Sequence, residues 1–181
     1  MKGSSLDART IAITAVMTAV VAAFTMFIRV PIPATGGYAN LSDAAIFFVA
    51  FTFGPLPALV AGGLGAALAD ILSGAPQFAG LSFVAHGLEG LIAGYLAVRL
   101  TAGRTLVAWL LGAAAMVLGY FLGEVFVLTI GFGPALQEMP LNVAQVAIGG
   151  VLGVALTAAV RRAYPQVAGV GAARRWREFQ G

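Results

Sequence analysis

Long apolar runs alternate along this chain with short breaks rich in proline, glycine and charge, and the runs set the architecture. An α-helix rises 1.5 Å per residue, so about 20 apolar residues cross a hydrocarbon core roughly 30 Å thick. The first run predicts a helix from about Ala8 to Ile28, too long for a signal-peptide core and read as retained. It stops before Val30-Pro31-Ile32-Pro33, where two prolines favour extended backbone, and residues 30–40 read as a polar, glycine-containing loop. Leu41-Ser42-Asp43 opens a second, short helix, with Ser42 or Asp43 as its N-cap, ending at the turn Gly54-Pro55-Leu56-Pro57. A third helix of alanine and glycine covers about 57–73, closing at Asp70 and the Ser73-Gly74-Ala75-Pro76 break. The fourth spans about 80–100 and the fifth about 105–130. A loop, Gly131-Phe132-Gly133-Pro134, then leads through Glu138 and Pro140 to a sixth helix at about 141–160. Strands of a membrane barrel alternate polar and apolar residues, which these runs do not. The expectation is an all-α membrane protein: a compact bundle of six transmembrane helices over residues 1–162, followed by a basic tail, 163–181.

Composition strengthens that reading. The 181 residues are 60% hydrophobic and 9% charged, with mean hydropathy +0.97, whereas soluble domains carry about 25% charged residues. Lipid is therefore the solvent for most of the chain, and in lipid every backbone group must be paired internally. Charge then orients the bundle. With six spans, Lys2, Arg9, Arg99, Arg104, Arg161, Arg162, Arg174, Arg175 and Arg177 fall on one side and only Arg29 on the other. That asymmetry places both termini in the cytoplasm. The tail Arg174-Arg175-Trp176-Arg177 reads as an anchor to anionic headgroups, not as a nucleic-acid contact. With no cysteine, neither disulfides nor thiol chemistry is available.

A few ionisable residues interrupt the apolar segments. His86 falls one to two turns inside the start of helix 4, Glu89 a turn deeper, and Glu124 in the outer part of helix 5. Such groups cost roughly 2.5–3.5 kcal/mol to insert, so each needs a partner or a wet cavity, and the three together point to one polar cavity opening outward. His86 and Glu89, at i and i+3, share a face that Phe83 extends. One reading is a satisfied pair locking two helices. The other is a ligand site, where Glu89 accepts from an amino or ring N–H of a heterocycle flanked by His86 and Phe83. A metal is not expected: the order His-x-x-Glu reverses the Glu-x-x-His of bundle metal sites, and the chain has one histidine. The same scarcity of nucleophile and base argues against an enzyme. Asn142 and Gln145 open helix 6, where Asn142 can also cap. Asp43 reads as a charge suited to a helix N-terminus. Asp70 opposes the dipole at the end of helix 3 and so implies another partner, while Tyr38 and Phe78 fit an interfacial belt. Small-residue stripes recur at Ala15/Ala19/Ala23 and Gly62–Ala67, suited to close helix packing or, for helix 1, to docking another membrane subunit.

The ordered landmarks Pro31-Ile32-Pro33, Gly37-Tyr38-Ala39-Asn40-Leu41-Ser42-Asp43, Phe53-Gly54-Pro55, Gly62-Gly63-Leu64-Gly65, Ala69-Asp70 and His86-Gly87-Leu88-Glu89-Gly90 resemble the S components of energy-coupling factor (ECF) vitamin transporters. The branch with riboflavin, hydroxymethylpyrimidine/pyridoxine and cobalamin binders is the most similar. The resemblance covers about residues 8–100, and His86 stands where the family commonly has a basic residue. It implies a non-enzymatic, cofactor-free subunit in the prokaryotic cell membrane. Such a subunit binds a vitamin or precursor at its outer face and docks on a T transmembrane subunit with two ATPases. Ala15 and Ala19 match the family's Ala-x-x-x-Ala docking motif. No Gly-x-x-x-x-Gly-Lys-Ser/Thr phosphate loop occurs in the chain, consistent with ATP hydrolysis elsewhere. The expected binding set is Tyr38, Asn40, Phe83, His86, Glu89, Glu124, Asn142 and Gln145. Two acidic groups with few cations suit a pyrimidine or pyridine vitamin, with riboflavin or cobalamin next. The alternative is a stand-alone secondary transporter or channel relaying protons or cations through its acidic residues.

Overall fold

A computed structural model of the chain describes residues 8–97 and 101–169. Six helices follow in order: α1 (Ala8–Phe27), α2 (Ser42–Phe53), α3 (Pro55–Leu72), α4 (Ala79–Leu96), α5 (Ala102–Phe126) and α6 (Phe132–Ala163). Between α1 and α2 lies an antiparallel hairpin, β1 (Arg29–Ile32) and β2 (Gly37–Asn40), paired Arg29↔Asn40 through Ile32↔Gly37. All helices but α2 are long and apolar enough to cross a membrane.

With 12 residues, α2 is only about 18 Å long. It need not match the bilayer, because α1, α3, α4 and α6 pack around it and every residue except Phe48 is buried. Ile46, Phe47 and Val49 have no exposed surface and form the centre of the apolar core. Gly54, at φ 94°, occupies a left-handed conformation closed to most residues, so α2 turns directly into α3 with Pro55 at its first position.

Glycine also sets how closely the helices approach. A Cβ on Gly62 of α3 would lie 2.7 Å from the His86 carbonyl oxygen of α4, so the two backbones touch at the level of the histidine. On α6 the corresponding position is Gly149, where a Cβ would lie 2.4 Å from the Cβ of Asp43. The α3 stripe is thus consumed by packing. The α1 stripe is not: Met17, Val21 and Thr25 face the bundle, while Ala15, Ala19 and Ala23 are exposed.

Three expectations are corrected. Residues 29–40 form a hairpin, because Pro31 is tolerated in an extended edge strand that needs no further donor, and Pro33 opens the turn. Neither Ser42 nor Asp43 caps α2; instead the Asn40 Oδ1 accepts from the Ser42 amide at 2.8 Å, an Asx turn that leads the chain into the helix. Helix α6 starts at Phe132, not 141, and runs through Pro140. An interior proline costs about 3 kcal/mol, yet its surroundings hold the turn and bury Ala135, Glu138 and Asn142. Asn142 therefore lies inside a helix and caps nothing.

Chain direction puts the starts of α1 and α5 and the end of α6 away from the hairpin, together with Arg9, Arg104, Arg161 and Arg162. There Arg161 donates to the Phe51 carbonyl at 3.0 Å. Lys2, Arg99, Arg174, Arg175, Trp176 and Arg177, and most of the 163–181 tail, lie outside the described residues.

Candidate functional site

At the hairpin end, polar side chains that would be expensive in lipid bond to one another across the bundle. Three bonds tie the hairpin down. The Tyr38 hydroxyl donates to Asp70 Oδ1 at the end of α3, at 2.6 Å. Thr35 Oγ1 donates to Glu138 Oε2 on α6. The Asn40 amide donates to Gln145 Oε1, also on α6, at 2.6 Å. This answers what Asp70 does at an unfavourable helix terminus: it receives the tyrosine. Burial, together with the bond to Asp70 and its charge, holds the Tyr38 phenol above its ordinary pKa, so it remains a donor at neutral pH. The Arg29 guanidinium lies 5.5 Å from the Tyr38 ring centre and covers it from outside.

Beneath the hairpin is a narrow cleft. Tyr38 and Asn40 line its roof, Thr25, Ala66 and Asp70 one wall, and Ser82, His86, Tyr120 and Glu138 the rest. Its volume is about 10 Å³, enough for about one water and far too small for a ring. Ser82 and Tyr120 share a hydrogen bond of 2.6 Å, and the Tyr120 ring meets His86 edge-on at 5.5 Å between centres.

Two carboxylate clusters lie deeper. In the first, His86 Nδ1 is 2.9 Å from Glu89 Oε2 and 3.7 Å from Asp43 Oδ1. These three side chains are 0–1% exposed, and neither Asp43 oxygen nor Glu89 Oε1 has a hydrogen-bond partner. In the second, Glu138 accepts from Thr35 and, at 3.2 Å, from Asn142 Nδ2. Glu124, fully buried, has no hydrogen-bond partner on either oxygen.

Of the expected binding residues, the structure brings Tyr38, Asn40 and His86 into the cleft. Glu89 stands behind His86, Asn142 behind Glu138 and Gln145 behind Asn40; Glu124 is buried at the same end of the bundle, close to the end of α5. Phe83 is left out: it is 39% exposed and packs near Gly63. Each three-residue step turns a helix by 300°, so Phe83 is 120° from Glu89 around α4. Sequence reasoning passed over Ser82 and Tyr120, although each lies four residues before a flagged residue, His86 and Glu124, and thus on the same face. It also assigned Asp43 to a helix terminus, since nothing local ties it to His86.

Known proteins resemble this chain in sequence and in fold. The family model of the ECF-type riboflavin transporter S component matches residues 5–162. An uncharacterised Pyrococcus woesei protein is 42% identical over 130 residues, covering 71% of this chain and 86% of the relative. The thiamine precursor transporter HmpT of Lactococcus lactis subsp. cremoris is 35% identical over 133 residues, covering 73% of this chain and 75% of the relative. The structure of an S component of a bacterial ECF transporter superposes with a TM-score of 0.69 at 17% identity, over 85% of this chain and 96% of the other, a likeness of fold. Five apolar helices fit a multi-pass membrane protein, and the chain belongs to the ECF-type riboflavin transporter S component family.

Proposed function

We propose that this chain captures a hydroxymethylpyrimidine-like precursor of thiamine and delivers it to an ATP-driven import module. The observation that carries the cargo is the 35% identity, over 73% of the chain, with a transporter named for a thiamine precursor. The site chemistry supports it. A small heterocycle with amino and hydroxyl groups needs several acceptors and donors and no cationic clamp, which is what Asn40, His86, Glu89, Glu124, Asn142 and Gln145 offer around Tyr38. Pyridoxine is chemically close to such a cargo; riboflavin and cobalamin are larger and come next.

In this reading the bundle sits in the cell membrane of a prokaryote with the short α2 enclosed by its neighbours, the hairpin end faces outward and both termini lie in the cytoplasm. The four described basic residues at the opposite end favour that orientation. Entry of a ring into a cleft of about 10 Å³ requires the hairpin to swing away, releasing Tyr38 from Asp70 and Thr35 from Glu138. Delivery uses the other flank. Of the exposed Ala15, Ala19 and Ala23, Ala15 lines an apolar groove of about 530 Å³ between α1 and α3, together with Thr14, Thr18, Val60 and Leu64. Small side chains let a partner helix approach closely in lipid, and the partner in this reading is a T transmembrane subunit carrying two ATPases.

Native mass spectrometry of the detergent-purified chain, followed by a thermal-shift screen of B vitamins and precursors, tests the assignment. A retained or strongly stabilising aminopyrimidine is the expected result. Stabilisation by riboflavin or cobalamin would replace the cargo and keep the mechanism. A response to pH or cations alone would instead favour a solitary transporter.

A further inference from the structure

The deeper cluster joins His86 and Glu89, which the capture reading uses, to Asp43, which it leaves unused. Asp43 comes from the first turn of α2, His86 and Glu89 from α4, and Gly149 of α6 closes against the Asp43 backbone from behind. One ligand atom from each of the three side chains lies within 4.8 Å of the other two. Both Asp43 oxygens and Glu89 Oε1 are buried with no hydrogen-bond partner, and neither carboxylate pairs with an arginine or lysine among the described residues. Buried polar groups are nearly always satisfied, and uncompensated carboxylates in a low-dielectric interior cost several kcal/mol each. Three further arrangements of the chain could meet that need: a ring, a proton or an ion. Donors this close leave no room between them for a ring. A proton shared between Asp43 and Glu89 would satisfy one oxygen of each and leave the second Asp43 oxygen without a partner.

We propose that Asp43, His86 and Glu89 form a binding site for a divalent first-row transition ion such as Zn²⁺, at the inner floor of the cleft. Imidazole and carboxylate together suit Zn²⁺, Co²⁺ or Mn²⁺ better than the oxygen-only preference of Mg²⁺ or Ca²⁺. Ligands about 2.1 Å from one tetrahedral ion stand roughly 3.4 Å apart, so atoms that lie within 4.8 Å of one another draw in by up to about 1.4 Å. The two Asp43 oxygens, one Glu89 oxygen and His86 Nδ1 supply up to four donors without solvent, fitting a site the bundle encloses. His86 also lines the cleft, with Asp70 on its wall, and gives the ion its way in. On the sequence alone, two donors on one helix argued against a metal; the fold adds a third from a residue 43 positions away.

The test uses the full chain without a polyhistidine tag, stripped with chelator and titrated separately with Zn²⁺, Co²⁺ and Mn²⁺. Elemental analysis after desalting should find one equivalent of ion, and Co²⁺ should give the intense visible d–d band of a four- or five-coordinate site. Loss of a ligand in Asp43→Asn or His86→Gln should weaken binding at least as much as loss of an outer-shell partner, roughly 10–100-fold, while Gln77→Ala, exposed in the turn that precedes α4, should leave it unchanged. No retained equivalent, a six-coordinate Co²⁺ spectrum, or one equivalent indifferent to Asp43→Asn would each overturn the site. Because the spectrum is read on the unaltered protein, a variant that fails to fold does not block the test. The thermal-shift screen, run on stripped and loaded chain, keeps this inference apart from the cargo: a vitamin shift with no metal uptake sinks only the ion site, and metal uptake with no vitamin shift sinks only the cargo.

Discussion

The two ends of this bundle are built on opposite principles. At the hairpin end, side chains from β2, α3, α4, α5 and α6 converge as polar groups, and nearly all of the contacts that hold the hairpin are single hydrogen bonds. Toward the other end the helices meet as bare backbone, with Ala58 against Gly90 and Pro55 against Gly94, and the surface outside carries an apolar groove. Single hydrogen bonds are worth about 0.5–1.5 kcal/mol net and can break and re-form. Backbone-to-backbone packing has no such play, because interiors close-packed like crystals do not deform continuously. A capture subunit needs both: an end that opens for cargo and a body rigid enough to be recognised and moved as a unit.

Substitutions should separate the ends. The largest effect is expected at Gly62→Val, where a Cβ would sit 2.7 Å from the His86 carbonyl oxygen. Overpacking of this kind costs about 1–3 kcal/mol or more, so thermal stability, cargo binding and uptake should fall together. Ala19→Trp is exposed on α1 and should abolish uptake of labelled cargo in cells while the purified chain binds it as before. Lost binding there would mean that the α1 stripe is packing after all. On the binding side, Glu89→Gln should weaken cargo affinity by about 1.5–3 kcal/mol, the worth of a hydrogen bond to a charged group, and unchanged affinity would take Glu89 out of the site. Tyr38→Phe removes only the bond to Asp70. It should cost about 1 kcal/mol or less and show mainly as faster cargo dissociation in stopped-flow measurements.

Much of this contrast could be read from the chain. Span length and hydropathy located α1, α3, α4 and α5, because a bilayer imposes length on any helix that faces it. The same rule made α2 hard to judge, since a helix wrapped by its neighbours escapes that constraint. The hairpin was missed because a four-residue strand carrying Pro31, followed by Pro33 in the turn, resembles a loop, and its pairing depends on partners up to eleven residues apart. Pro140 concealed the first nine residues of α6, for a local rule ends a helix where tertiary packing continued it. At the site, His86 and Glu89 announced themselves by charge in an apolar run. Ser82 and Tyr120 did not, because hydroxyls in membrane helices commonly bond to their own backbone, as Thr25 and Thr157 do here. The role of Asp43 depends on α2 lying beside α4, which no local pattern encodes.

The most direct test is isothermal titration of the purified chain with 4-amino-5-hydroxymethyl-2-methylpyrimidine and, separately, with riboflavin. Saturable one-to-one binding of the pyrimidine, lost or weakened in Glu89→Gln and retained in Ala19→Trp, is the predicted result. Binding of riboflavin alone, or of neither compound by a folded protein, would contradict the account.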